Sequence, residues 1–346
     1  MSRRSSGAGG LVSADLEFAT ALLPLWGFPQ GTGIAPADEE GTNNRTFLVR
    51  RGEHRYALRL SGFLSVAEVQ AEHRILGRLR QGRLPFRVPE PVAALDGRSV
   101  IGTAAGPASL CRWLPGVRPG MDGAEALERF GRATGLLTAA LADVPLADAL
   151  RDWRTDPRWI RPDDPPVSVL CGELRSAGMG SDQAELLDAA ARRVGQWWPG
   201  SGGLPAQVIH GDLAPSNMLA DTGTGEVTGF LDFELAGAGF RVQDILAALY
   251  NSASLGAPDW PRRTAAFIRG CASACRLEPA EVTALPELLI VRSLGSVLWR
   301  VARWHAGLGR FDEVTAHADR LEATTRWIAA NQNTFLSVAN AANAGS

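Results

Sequence analysis

The 346-residue chain predicts an α+β fold of two lobes, a small β-rich one followed by a larger helical one. Three observations carry this reading. The length exceeds what one compact core usually serves. Hydrophobic alternation with a period of two is concentrated ahead of Gly116. Beyond Gly116 helical spacing dominates, and only two stretches, 208–210 and 230–233, read as strands.

The elements follow in order. Residues 1–12, rich in Ser, Gly and Arg, read as a disordered tail. Ser13 is placed to cap a helix carrying Leu16, Ala19, Leu22 and Leu23 on one face. Stretches 46–50 and 56–60 form a predicted hairpin about a turn at 51–54. The second of them, Tyr56-Ala57-Leu58-Arg59-Leu60, alternates as a half-buried strand does. Val66, Val69, Ile75, Leu76 and Leu79 then recur at helical spacing, and Pro89 and Pro91 close that region. Stretches 91–95 and 99–103 read as a second hairpin about Asp96-Gly97. An extended segment at 110–114 ends at Pro115-Gly116. The lobes therefore divide as 13–110, a hinge at 111–118, and 119–346. In the second lobe 123–141 reads as a helix. A Pro- and Trp-rich insertion fills about 144–205, with a helix near 182–197, and the chain from Val242 onward is helical.

Charge and cysteine content narrow the function classes. A net charge of -2 gives no basic field for nucleic acid or an acidic membrane. The most apolar stretch, 288–301, contains Arg292 and Arg300, so no membrane span is expected. Asp15 and Glu17 interrupt the apolar stretch that a secretory signal would need. Four scattered cysteines do not make a disulfide scaffold, which points to a reducing, cytoplasmic setting. Cys271 and Cys275 lie four apart on a predicted helix with no histidine nearby in sequence, and read as buried thiols. The chain contains no lysine, so all 35 basic residues are arginine.

The informative segment is Val208-Ile209-His210-Gly211-Asp212-Leu213-Ala214-Pro215-Ser216-Asn217-Met218-Leu219, followed a dozen residues later by Gly229-Phe230-Leu231-Asp232-Phe233. A strand delivers Asp212 to a loop, Asn217 follows five positions on, and Asp232 ends the next strand. Phosphoryl transfer needs such a set: one carboxylate to orient the attacking hydroxyl, and hard oxygen donors to hold Mg²⁺ on the phosphates.

In these residues the sequence resembles the protein-kinase-like small-molecule kinases, the group of aminoglycoside phosphotransferases and homoserine kinases. Their catalytic loop reads H-G-D-x-x-x-x-N and is followed by a strand ending in D-F or D-x. The resemblance covers roughly residues 35–330. It implies a two-lobed protein-kinase-like fold, with Asp212 as catalytic base and Asn217 and Asp232 as metal ligands. His210 and Asp244 would brace the loop. It places Gly41 to Thr46, including Asn43, Asn44 and Thr46, over the phosphates. Arg59 stands where protein kinases carry a phosphate-binding lysine, with Glu72 as its helix partner. Cys111 and Trp113 fall at the nucleotide hinge.

The departures from the pattern are equally specific. The second strand reads Asp232-Phe233-Glu234 rather than D-F-G, so a glycine-based switch of the magnesium loop is not expected. Ala214 stands two after Asp212, where protein kinases carry a lysine for the γ-phosphate, and protein substrates are disfavoured accordingly. The resulting expectation is an ATP- or GTP-dependent, Mg²⁺-requiring O-phosphotransferase acting on a small hydroxylated molecule. An antibiotic is the first expectation and a homoserine- or choline-type metabolite the second. A non-catalytic kinase-like binding protein is the rival of another class. Arg292, Ser296, Trp299 and Arg303 form one stripe on a C-terminal helix. Trp299 and Arg303 are the expected substrate contacts. A cationic, aromatic stripe suits a neutral or anionic acceptor, such as a nucleoside or macrolide, better than a polycation.

Overall fold

In the computed structural model, residues 7–37, 44–154, 166–253 and 255–345 are described. Helix α1 (Gly7–Leu22) precedes β1 (Gly33–Pro36), β2 (Asn44–Arg51) and β3 (His54–Ser61). Then come α2 (Val66–Gln81), β4 (Glu90–Val92), β5 (Ile101–Thr103) and β6 (Gly106–Arg112). These strands make one antiparallel sheet of order β1-β2-β3-β6-β4, with β5 also on β6. Its period-two pleat sorts side chains by face. Phe47, Val49, Leu58, Leu60, Ala108 and Leu110 pack on Ala19, Leu23, Trp26 and Phe28. Burying each large side chain contributes about 1.5–3 kcal/mol. The opposite parity leaves Arg59, flanked in the ladder by Thr46 and Ser109, for the face covered by α2.

The second lobe contains α3 (Gly123–Leu141), α4 (Val167–Ser176), α5 (Ser181–Trp197), β7 (Ala206–Ile209), β8 (Met218–Ala220), β9 (Val227–Phe230) and β10 (Gly237–Phe240). It ends in α6 (Arg241–Ser252), α7 (Trp260–Ala272), α8 (Pro279–His305) and α9 (Phe311–Ala344). Two short antiparallel pairs, β7 with β10 and β8 with β9, sit among these helices. Helices α3 and α7 approach closely. A Cβ on Gly131 would lie 2.0 Å from the Phe267 carbonyl oxygen, so no larger residue fits there without a shift.

The lobes are joined by packing as well as by the chain. Ile75, Leu76 and Leu79 of α2 belong to the same core cluster as the helical lobe. Beyond α2, Phe86 meets Phe230 edge-on at 4.8 Å. The Arg87 backbone pairs with β9: its N–H donates to the Thr228 carbonyl, and its carbonyl accepts from Phe230 N–H. Strand β9, which leads into Asp232, is therefore pinned to the small lobe.

Several expectations are corrected. Helix α1 begins at Gly7, ahead of the Ser13 cap, because Leu11 and Val12 continue the helix and an interior serine costs only tenths of a kcal/mol. Segments 91–95 and 99–103 do not pair with each other. Strands β4 and β5 lie one after the other along β6, and the turn between them closes with Arg98 N–H donating to Asp96 Oδ1. The strand expected at 230–233 stops at Phe230, because Asp232 turns left-handed at φ 63°. Strands β8 and β10 were not foreseen: one has three residues, and Gly-Ala-Gly-Phe carries little strand propensity. Helix α8 is long and apolar enough to cross a membrane despite its arginines, but 72% of its most apolar window is buried inside the fold.

Candidate active site

The floor of the site is the loop after β7. Asp244, fully buried on α6, accepts two backbone N–H bonds, from His210 at 2.7 Å and Gly211 at 2.8 Å. Burial pushes its carboxyl above the ordinary range, while His210 and the two N–H donors pull the other way. Gly211 has φ 85°, and a Cβ there would stand 2.5 Å from the Leu235 carbonyl oxygen; the loop needs glycine at this turn.

His210 links the Asp212 loop to the segment before Asp232. Its Nδ1 accepts from Asp212 N–H at 3.2 Å, so Nε2 carries the proton and donates to the Leu231 carbonyl at 2.9 Å. Leu231 N–H in turn donates to the Asn217 carbonyl at 2.8 Å. The residue just before Asp232 is thus bonded at both ends to the loop bearing Asp212 and Asn217. Asn217 Nδ2 donates to the Asp212 carbonyl at 2.9 Å and to Asp212 Oδ2 at 3.3 Å, so Oδ1 is the atom it could offer a cation. Arg292 on α8 donates to Asp212 Oδ1 at 2.5 Å.

Asp232 is the electrostatic centre. Burial pushes its carboxyl up to about 8, Glu234 adds to the shift, and Arg59 opposes it. A carboxylate so crowded by acid calls for a cation. Among the described residues no three His, Cys, Asp or Glu side chains cluster to hold a metal alone. Mg²⁺ does not need such a cage, since it takes one or two protein oxygens and completes its shell with phosphates and water. Asp232 and Asn217 fit that requirement.

The roof is the small lobe. Arg59 forms an ion pair with Glu72 of α2, both largely buried. Burial works against the guanidinium's charge, but Glu72 outweighs it and raises the pKa above its ordinary value; Asp232 adds to the effect. The Ser65 capping box starts α2 and sets Glu72 in register. Cys111 lies two residues beyond Ser109, on the Arg59 side of β6, and burial pushes its thiol up to about 12 despite Arg59. Trp113 N–H donates to the Arg55 carbonyl at 3.0 Å, continuing the β3–β6 ladder.

Not every expected residue meets the cleft as foreseen. Asn43 lies outside the described residues. Asn44 donates its amide to Glu234, a side-chain tie between roof and floor. Trp299 packs edge-on against Phe63 at 4.8 Å, beside Arg151 and Trp153. Arg303 is not brought to Asp212: its guanidinium donates to the Leu308 carbonyl at 2.7 Å, about three turns along α8 from Arg292. Sequence reasoning missed Glu234, Leu231 and the contact of Arg292 with Asp212. The α8 stripe was the available signal for the last.

A two-lobed, protein-kinase-like small-molecule kinase is the class this fold and site define. The chain belongs to the APH phosphotransferase enzyme family, which it matches over residues 35–285. It is 28% identical over 319 residues to the homoserine kinase of Xanthobacter autotrophicus, covering 85% of this chain and 88% of that one. The homoserine kinase of Mesorhizobium japonicum is 30% identical over 275 residues, 77% and 79% of the two chains. Among solved structures, a microcompartment-associated aminopropanol kinase superposes with a TM-score of 0.70 at 22% identity, over 93% of this chain and 98% of that one. An amicoumacin kinase in complex with AMP-PNP and Ca²⁺ does so with a TM-score of 0.65 at 17% identity, over 93% and 94%. These two likenesses are of fold.

Proposed function

We propose that the chain transfers the γ-phosphoryl group of ATP to a hydroxyl of a small acceptor bound at Asp212. The observation that carries this is the bonded unit of Asp212, Asn217 and Leu231-Asp232, in which the base and both metal-ligating residues are held in one frame. Asp212 accepts a hydrogen bond from the acceptor hydroxyl and aims its oxygen. Arg59, steadied by Glu72, holds phosphate oxygens in its planar fork. Asp232 and Asn217 Oδ1 would hold Mg²⁺, which when bound supplies charge neutralisation on the phosphates. A non-catalytic binder would need no such frame around an accessible carboxylate.

For the acceptor we favour a small hydroxy amino acid of homoserine type. The relatives that support it are homoserine kinases matched over most of their length, whereas the amicoumacin kinase shares only the fold. The second reading is an antibiotic with a flat or apolar part. The edge-on pair Phe63 and Trp299 favours it, since the pair places aromatic surface about 10 Å along α8 from Arg292. A coupled ADP-release assay with L-homoserine, a macrolide and kanamycin separates these. Homoserine should give the highest kcat/KM and kanamycin the lowest; a clear preference for kanamycin would reject both acceptor readings.

A further inference from the structure

Asp212 is gripped from outside its own loop. Arg292 is 80 residues away in sequence, yet its Nη2 stands 2.5 Å from Asp212 Oδ1. The two side chains are 21% and 36% exposed, so the pair lies at the edge of the cleft, within reach of a ligand. The loop between Asp212 and Asn217 is Leu213-Ala214-Pro215-Ser216 and carries no cation of its own. Asp212, Asp232 and Glu234 nevertheless gather acid around the place where a phosphoryl group must pass. Arg59 approaches from the roof and is engaged by Glu72.

Phosphoryl transfer spreads negative charge over the equatorial oxygens of the moving group, and a cation beside them lowers the barrier. A hydroxyl bonded to Asp212 lies about 3 Å from its carboxylate. A guanidinium bonded to that same carboxylate is within reach of the oxygens on the phosphorus that the hydroxyl attacks. Its planar fork can serve carboxylate and phosphate together.

We propose that Arg292 is the cation of the transfer step, delivered by helix α8 in place of a loop cation at position 214. This rests on the phosphotransferase reading above. In the step, a bond forms between the acceptor oxygen and the γ-phosphorus. The bond from that phosphorus to the β,γ-bridging oxygen breaks, and its electron pair leaves with ADP. The acceptor proton passes to the Asp212 carboxylate and then to solvent. Arg292 stays protonated throughout, aligning Asp212 and neutralising the equatorial oxygens.

Steady-state kinetics of Arg292→Gln, Arg292→Lys and the double variant Arg292→Gln/Ala214→Lys test the proposal, with melting temperature and calorimetric binding of AMP-PNP with Mg²⁺ as independent readouts. Arg292→Gln should lower kcat by about 10²–10³-fold. Its KM values and AMP-PNP affinity should stay within about threefold of the parent. Arg292→Lys should keep an intermediate rate, and Ala214→Lys should return at least about tenfold to the Gln variant. If glutamine at 292 unfolds the chain, Arg292→Leu, which keeps the packing of the stem, should show the same kcat loss. An unchanged kcat overturns the proposal. So does a loss confined to KM for carboxylate-bearing acceptors, which would make Arg292 an acceptor-binding residue. So does a lysine variant as inactive as the glutamine one with no return on adding Lys at 214. Asp212→Asn in the same assay separates the failures. If it is inactive while Arg292→Gln is unaffected, only this proposal falls; if the parent itself shows no acceptor-dependent ADP release, the phosphotransferase reading falls and this proposal with it.

Discussion

The floor and the roof of this cleft are held in place by different physics. On the floor, Asp212, Asn217 and Asp232 are set by bonds that converge on backbone groups: two N–H donors on Asp244, and the N–H and carbonyl of Leu231. On the roof, Arg59 is set by one largely buried side-chain ion pair with Glu72. A frame built on backbone is preorganised and cannot be exchanged for another chemistry, because peptide groups do not mutate. An ion pair can be replaced as a unit, since two apolar residues of similar volume often restore what the pair contributes to stability. The difference predicts which half of the site tolerates redesign.

The largest effect should come from breaking the roof on one side only. Arg59→Ala leaves Glu72 buried without its partner and should cost about 3–5 kcal/mol in urea unfolding, with a raised KM for ATP. The paired change Arg59→Met with Glu72→Leu should recover most of that stability and none of the turnover. If the paired variant stays as unstable as the single one, the roof is not the exchangeable unit described. The floor should behave otherwise. Asp244→Ala strands two buried N–H groups, at about 1–3 kcal/mol each, and should also lower kcat by loosening the loop. No second-site apolar change should rescue it; a stabilising partner substitution would blur the contrast.

A smaller effect separates the lobes by pH. His73, beside the roof pair, bonds Ser99 Oγ through Nδ1, and its Nε2 is buried with no hydrogen-bond partner. Burial, with Arg59 adding to it, pulls its pKa down to about 3. A group depressed in the folded state stabilises the fold above its unfolded pKa of about 6.5, and loses that contribution as pH falls towards 3. Lowering the pH from 7 to 5.5 should therefore cost about 1 kcal/mol through this residue. His73→Leu should show a correspondingly shallower dependence, and an identical pH profile in that variant would contradict the assignment.

Legibility from sequence followed the same division. Most of the floor was readable because its chemistry is close in sequence: His210 to Asn217 is one loop, and Asp232 follows β9 by two residues. Arg59 and Glu72 were readable through the resemblance, which sets them where protein kinases carry a strand lysine and its helix glutamate, and the two do form an ion pair. Arg292 was seen only as part of a stripe, since nothing local says that a helix 80 residues on will meet Asp212. Glu234 was passed over as a departure from glycine, and its bond to Asn44 across the cleft depends on tertiary approach. Arg303 fell on the right stripe but three turns away, where periodicity gives the face and not the distance.

The central claim is that Asp212 is the group that aims the acceptor while the metal-ligating pair holds the nucleotide. Parallel assays of Asp212→Asn and Asp232→Asn test it most directly, each followed for ADP release and for AMP-PNP affinity with Mg²⁺. Asp212→Asn should lose about 10²–10⁴-fold in kcat and bind nucleotide within about threefold of the parent. Asp232→Asn should lose the Mg²⁺-dependent part of nucleotide binding itself. Near-parental turnover in Asp212→Asn, or equal loss of nucleotide binding in both variants, would contradict the account.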